Sequence, residues 1–506
     1  MNQKVFVKMK DICKSFGSVK ANNLVNFEVN KGEVHALLGE NGAGKSTLMN
    51  MLSGFYKPDS GSVFIRGKEI KFNSPKDAIN EKIGMIHQHY KLVDVQTAKE
   101  NIILGQKGNL FVNNKKLSKK IYDIANEYGL PINPDKKIYD MSIGEKQSVE
   151  ILKVLYEGND ILIMDEPTAV LTPQETKKLF QIIKNMASKG CAIIIITHKL
   201  NEVMEVSDRV TILRKGKTIT TVITKETTPE LLTNLMVGKS VNLSIKRPEV
   251  IKSEEILKVE NLFAKNKNGV KVLNNISFSL YGGEILGVAG VANSGQKEIC
   301  ESIAGLYPIE SGKIIYENDD IVGKTPGEII NKGISMSFIP EDRLGMGLVA
   351  SMDMIDNYLL KEFHNQKSIF LDRNPILKIC NKMIEDLQIV TPGVNHPVKQ
   401  LSGGNIQKVL IGREINTNPK ILITAYAVRG LDIGSCHTIY DLINEQKGKG
   451  VAIMFIGEDL DILLQLCDKI LVLSEGTVMG IVDARTTTKE TIGHMMAGGL
   501  NSKEAY

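Results

Sequence analysis

No apolar run in this 506-residue chain approaches the ~20 residues that a membrane-spanning helix needs. The strongest, Ala192 to Ile196, is only strand-length. A signal-peptide core is also missing: Met1 to Lys10 sets Lys4, Lys8 and Lys10 among short apolar steps. Cysteine is sparse. Cys13, Cys191, Cys300, Cys380, Cys436 and Cys467 are scattered without a CxxC pair. That argues against a disulfide framework or zinc site and predicts buried free thiols in a reducing cytoplasm. Charge of one sign is lacking too. With 63 basic and 58 acidic residues, the net charge is +5 over the whole chain. This is too weak to mark a nucleic-acid binder; it is compatible with work near an anionic membrane surface. What is present suits packed cores: 42% hydrophobic and 24% charged residues exclude wholesale disorder. The length calls for more than one domain.

The chain repeats itself. Lys31-Gly32-Glu33 leads an apolar run into Gly39, and Gly282-Gly283-Glu284 leads a similar run into Gly290, 251 positions later. Gly54 to Gly61 reads GFYKPDSG and Gly305 to Gly312 reads GLYPIESG, at the same offset. Later landmarks, Ser142 with Ser402 and Asp208 with Asp468, stand 260 apart. Two copies of one domain follow, with residues 1–240 and 256–506 as the domains and a polar linker at 241–255. Each copy alternates strands and helices. Val34 to Leu38 reads as a buried strand, Lys45 to Leu52 as a helix, and Ile161 to Met164 and Ala192 to Ile196 as buried strands. Thr172-Pro173-Gln174-Glu175 is a capping box opening a helix. Leu179, Phe180, Ile183 and Met186 line one face of that helix. The class is α/β, a mostly parallel sheet with an added antiparallel piece around Ser62 to Phe72.

Gly39-Glu40-Asn41-Gly42-Ala43-Gly44-Lys45-Ser46 fits the P-loop spacing, between a strand and a helix as required. Its glycines let backbone N–H groups approach phosphate oxygens, and the helix N-terminus adds positive potential. Lys45 would neutralise β/γ-phosphate charge, and Ser46 would offer a hydroxyl to Mg²⁺. Ile161 to Met164 runs into Asp165 and Glu166. Asp165 is placed for the Mg²⁺ shell, and Glu166 for polarising an attacking water. Thr197-His198 ends the next strand, where His198 would sense the γ-phosphate.

These residues carry a family resemblance. Ser142-Ile143-Gly144-Glu145-Lys146-Gln147 and Leu401-Ser402-Gly403-Gly404-Asn405-Ile406-Gln407 resemble the signature motif of ATP-binding cassette (ABC) proteins. The resemblance spans essentially the whole chain and implies two tandem ABC-type P-loop NTPase domains, each with a helical subdomain. It also implies roles for single residues. Gln88 is similar to the Q-loop glutamine, a catalytic and Mg²⁺-ligating residue. His198 resembles the switch histidine, and Phe16 the aromatic that stacks on adenine. Gly39, Asn41, Gly42, Gly44, Lys45, Ser46 and Thr47 would hold the phosphates of ATP.

The second copy departs from the pattern. Gly290-Val291-Ala292-Asn293-Ser294-Gly295-Gln296-Lys297 puts Gln296 in place of the lysine and Lys297 in place of the Mg²⁺ hydroxyl. Its strand ends Ile423-Thr424-Ala425-Tyr426, without carboxylates. Glu458 stands opposite His198, and Lys267 opposite Phe16. In the ABC family two cassettes face head to tail, so the intact P-loop would meet Ser402, Gly403, Gly404 and the D-loop-like Asp432. The broken P-loop would meet Ser142-Ile143-Gly144, where Ile143 crowds the phosphate, with Thr172 in the D-loop place. All defects then fall in one composite site: one hydrolytic and one degenerate.

Two fused cassettes resemble the ATP-binding subunits of bacterial importers for ribose-like sugars and nucleosides. Ile86 to Val93, Ile339 to Arg343 with Gly347 to Val349, and Arg429 to Asp432 resemble the nucleoside branch. Glu341 replaces the second Q-loop glutamine. The departures are Tyr426-Ala427-Val428, where the branch usually carries Gln-Pro-Thr, and Asn293 for a glycine. The resemblance implies two integral-membrane permease subunits and an extracytoplasmic substrate-binding lipoprotein as partners, and no nucleic acid. It implies a peripheral position on the cytoplasmic face of the membrane, with no direct contact with the cargo. A ribose- or galactose-type monosaccharide importer is the second reading. A soluble tandem-cassette factor acting on ribosomes is the third; such factors resemble chains with two intact sites and a long charged linker.

Overall fold

The computed structural model describes residues 5–17, 19–87, 91–105, 113–168, 171–197, 199–238, 245–250, 254–291, 293–331, 336–340, 342–363, 370–429 and 431–499, and the structural statements below concern these. The chain forms two compact units, Met1–Asn242 and Leu243–Tyr506.

In the first unit a six-stranded sheet is ordered Lys217–Ile223, Arg209–Arg214, Val34–Leu38, Ala192–Ile196, Ile161–Asp165, Ile83–Ile86. All pairs are parallel except the first, an antiparallel edge. The inner strands are mostly apolar, with His35 and Thr211 as buried exceptions, because helices or a second sheet cover both faces. Alternate residues serve different cores. Ile161 and Ile163 join Ile194 and the P-loop helix in one, while Leu162 and Met164 join Leu179, Phe180, Ile183 and Met186 in the other. A four-stranded antiparallel sheet, ordered Val19–Asn30, Val5–Phe16, Ser60–Ile65, Lys68–Ile70, covers the first of these cores. It includes the stretch read from sequence as the antiparallel piece.

The second unit repeats both sheets. Its parallel core is ordered Met336–Ile339, Ile421–Ala425, Ala452–Ile456, Ile285–Gly290, Lys469–Ser474, with Thr477–Asp483 antiparallel at the edge. Residues preceding its first strand are anchored within this unit. Asn444 Nδ2 donates to the Lys246 carbonyl at 3.0 Å and Lys447 Nζ to the Pro248 carbonyl at 2.6 Å. Four of the six thiols are buried, but Cys13 and Cys436 are half-exposed. The expectation of uniform burial is corrected there: both belong to elements with one face toward solvent.

Candidate functional site

The P-loop helix, Lys45–Leu52, is pinned by Leu48, Met49, Met51 and Leu52, all buried. Its N-terminus is set by Gly44 at φ 97°. A Cβ there would collide with the Ala21 carbonyl, and one at Gly39 with the Leu213 carbonyl. The loop therefore needs glycine at both ends for packing, while Asn41, Gly42 and Ser46 stay exposed at its mouth and Thr47 is half-buried. Asn22, buried below the loop, donates to the Gly44 carbonyl at 3.2 Å. Nothing in the sequence pattern marked it.

Lys45 is 7% exposed. Its ammonium folds back on its own loop, 2.6 Å from the Gly39 carbonyl and 3.0 Å from that of Glu40. Burial pulls it below the ordinary lysine range, against the carboxylates of Glu166, Asp165 and Glu40. At the end of the strand Ile161–Asp165, separated from Val34–Leu38 by Ala192–Ile196, burial and the adjacent Glu166 push the Asp165 carboxyl up to about 6, with Lys45 pulling the other way. The fold thus brings one cation and two carboxylates into a poorly solvated corner. Glu166 turns out of the strand at φ 47°, its N–H donating to the Ile196 carbonyl at 2.9 Å. Gln88 and His198 lie outside the described residues.

Phe16 ends its strand 45% exposed. Tyr56 packs on it edge to face, ring centroids 5.3 Å apart. The GFYKPDSG stretch marked Tyr56 as part of a repeat, not as a ring neighbour.

The signature residues differ between units. Ser142 caps the helix Ile143–Tyr156 in a closed box with Glu145, whose carboxylate also takes Lys136 Nζ at 2.8 and 2.9 Å. The S-x-x-E spacing already carried that signal. Ser402 starts the helix Gly403–Ile415 with no side-chain cap, its hydroxyl accepting from Asn405 Nδ2 at 2.9 Å. Asp432 caps the following helix through Ser435 N–H at 2.8 Å, and a Cβ on Gly404 would lie 3.3 Å from its Oδ2. Ser402, Gly404 and Asp432 therefore form one cluster in the second unit, and Thr172 closes a box with Glu175 in the first.

In the second unit the loop shape survives without its chemistry. Gly295 sits at φ 100° and Asn293 at φ 67°, matching Gly44 and Gly42. Tyr426 turns at φ 54°, as Glu166 does, its N–H donating to the Ile456 carbonyl at 3.0 Å. The Arg429 guanidinium lies 6.0 Å from the Tyr426 ring centre and pairs with Glu458 at 3.2 Å. Arg429 thus gives structural contacts to Tyr426 and Glu458, the residues that stand at the sequence offset of Glu166 and His198.

The family model for ABC transporters matches residues 22–169 and again residues 273–424. The nucleoside import ATP-binding protein NupA of Lactococcus lactis subsp. cremoris is 42% identical over 99% of both chains. The guanosine import ATP-binding protein NupO of Bacillus subtilis is also 42% identical, over 99% of this chain and 98% of that one. The ribose import ATP-binding protein RbsA of Bacillus licheniformis is 36% identical over 97% of this chain and 99% of its own. With a P-loop, a carboxylate-tipped strand and a signature helix ordered alike in the sequence, these matches show that the chain belongs to the ABC transporter family, as an ATPase carrying two cassettes in one polypeptide.

Proposed function

We propose that this chain is the ATP-hydrolysing subunit of an importer for nucleosides. The observation that carries the reading is 42% identity, end to end, to relatives named for nucleoside and guanosine import, against 36% for the ribose relative. It works beside two permease subunits and an extracytoplasmic substrate-binding lipoprotein, at the cytoplasmic face of the membrane. No helix of the described residues is long and apolar enough to cross a membrane.

Gly39, Asn41, Gly42, Gly44, Ser46 and Thr47 cradle the phosphates, and Phe16 stacks on the adenine. Lys45 leaves its loop carbonyls for the β/γ-phosphates, exchanging two neutral acceptors for anionic oxygens. Glu166 orients the attacking water, with Gln88 and His198 completing the γ-phosphate surroundings. Ser402, Gly403, Gly404 and Asp432 serve the same nucleotide, as the family resemblance implies. Among the described residues no three His, Cys, Asp or Glu side chains form a metal cage. That suits Mg²⁺, which keeps its waters and takes one or two carboxylates plus phosphate oxygens. Asp165, whose carboxyl burial and the neighbouring Glu166 push up to about 6, fits such a partner, with Ser46 and Gln88 as the other ligands. When bound, the ion offsets charge between the β- and γ-phosphates.

Deleting the gene tests the cargo. Uptake of labelled nucleosides should be lost while ribose and galactose uptake persists. The reverse pattern assigns the chain to monosaccharides and leaves the ATPase reading intact.

A further inference from the structure

The pairing of Phe16 with Tyr56 is unlike core packing, because the two rings remain 45% and 40% exposed. Their planes cross at 70°. Tyr56 is not a loose loop residue. The N–H groups of Phe55 and Tyr56 both donate to the Asn50 carbonyl, at 2.8 and 3.1 Å, and Asn50 belongs to the P-loop helix. Gly54 turns the chain there at φ 77°, where a Cβ would meet the Ser74 carbonyl oxygen at 2.5 Å. A few residues on, Asp59 clasps the strand end that bears Phe16. Its N–H donates to the Cys13 carbonyl at 2.8 Å, its Oδ2 accepts from Ser15 N–H at 2.7 Å, and its Oδ1 pairs with Lys14 at 2.8 Å. The Lys14 ammonium in turn lies 5.7 Å from the Phe16 ring centre. Residues 54–59 therefore tie the helix that starts at Lys45 to the strand end that presents Phe16.

The second unit keeps this scaffold and loses the ring pair. Leu306 and Tyr307 N–H groups donate to the Glu301 carbonyl at 2.7 and 3.2 Å, Glu310 N–H to that of Phe263 at 2.8 Å, and Lys265 pairs with Glu310 at 2.7 Å. Lys267 stands where Phe16 would be, and the Tyr307 hydroxyl donates instead to the Lys265 carbonyl at 3.2 Å. The aromatic contact is confined to the unit whose P-loop has its lysine.

We propose that Tyr56 is a positioning residue for nucleotide binding: it holds the Phe16 ring at a set place relative to the P-loop helix, so that base and phosphates are gripped together. This rests on the reading that Phe16 stacks on the base. An exposed ring at a strand end otherwise loses rotamer freedom only when ligand arrives, which weakens binding. An edge-to-face neighbour removes part of that loss beforehand. A contact of this geometry corresponds to about three- to tenfold in affinity. Because Tyr56 acts through Phe16, its effect is limited to ligands that carry a base.

The test uses the full chain assembled with its membrane subunits and measures kcat, KM for ATP and inhibition by magnesium tripolyphosphate, which has phosphates and no base. Phe16→Ala and Tyr56→Ala should each raise KM for ATP about three- to tenfold, with kcat within about twofold and tripolyphosphate inhibition unchanged. Tyr56→Phe, which keeps the ring, should restore the wild-type KM. If Phe16→Ala raises KM and Tyr56→Ala does not, the positioning role is overturned and base stacking by Phe16 stands. If Phe16→Ala leaves KM unchanged, base stacking fails and the positioning role with it. If Tyr56→Ala weakens tripolyphosphate inhibition as much as it raises KM, the residue props the P-loop instead, and the proposal is wrong.

Discussion

Gln296 donates from Nε2 to the Val291 carbonyl at 3.0 Å, as Lys45 donates from Nζ to the Glu40 carbonyl at 3.0 Å. The two residues and the two carbonyls are each 251 positions apart. Gln296 thus reproduces the loop-bracing half of the lysine's work and none of its charge. Lys45→Ala should abolish hydrolysis, by ~10² or more, the scale for losing one preorganised charge stabiliser. Gln296→Ala should leave turnover within about twofold and lower stability by roughly 1–3 kcal/mol, the range for stranding a buried polar partner. Phosphate release and thermal melts of the purified variants measure both.

Glu166 is the group expected to orient water at the γ-phosphate. Glu166→Gln keeps the shape and removes the charge. Turnover should fall at least ~10²-fold, the low end for a general base, while ATP binding persists. Near-normal turnover with bound nucleotide would sink this assignment.

The two signature serines should respond differently to bulk. Ser142 is locked in a box with Glu145, whereas Ser402 heads a helix whose next two residues are glycines. Ser402→Arg should cut ATPase activity on the order of tenfold or more, since phosphate approach tolerates little beyond glycine there. Ser142→Arg should do much less. Equal losses would refute the assignment of Ser402 to the hydrolytic site.

His35 and Glu33 make the first unit sensitive to acid. His35 is fully buried, its Nδ1 2.7 Å from Glu33 and its Nε2 2.7 Å from Thr211 Oγ1, with Arg209 on the same carboxylate at 3.4 Å. Burial holds the imidazole below its ordinary 6.5. The unfolded chain then binds its proton first as pH falls, so stability is lost from about pH 6.5 down toward the folded value. Glu33 is held below its ordinary 4.5 by His35 and by the Asn30 N–H, against its own desolvation. Its contribution is complete above 4.5 and is lost as pH falls through the folded value. Melting temperatures between pH 8 and pH 5 should fall less steeply for His35→Gln than for the wild type. Parallel slopes would assign the acid sensitivity elsewhere.

Several features were legible in one dimension because local chemistry dictates them. A P-loop needs glycine, lysine and a hydroxyl at set spacing between a strand and a helix. The two-fold repeat is legible because equal offsets survive divergence. The strand Ala192–Ile196 follows from an apolar run with no polar face, Val34–Leu38 from a run interrupted only by His35, and the helix Lys45–Leu52 from Leu48, Met49, Met51 and Leu52 placed to bury together. The loss of charge at Gln296 and Tyr426 is likewise plain from residue type alone.

Other features exist only once distant segments meet. That Lys45 rests on its own loop's carbonyls, or that the Asp165 carboxyl is pushed up to about 6, depends on burial that no spacing encodes. Asn22 reaches the P-loop, and Tyr56 reaches Phe16, across turns whose packing partners lie tens of residues away. Even the turn at Glu166 recurs at Tyr426 with different chemistry, since the next strand's carbonyl, Ile196 or Ile456, holds the backbone in place. The sequence by itself determined which chemical groups this protein has and in what order. Only the tertiary structure decided which are desolvated, which are braced and which face one another, because those depend on through-space distance and on the exclusion of water.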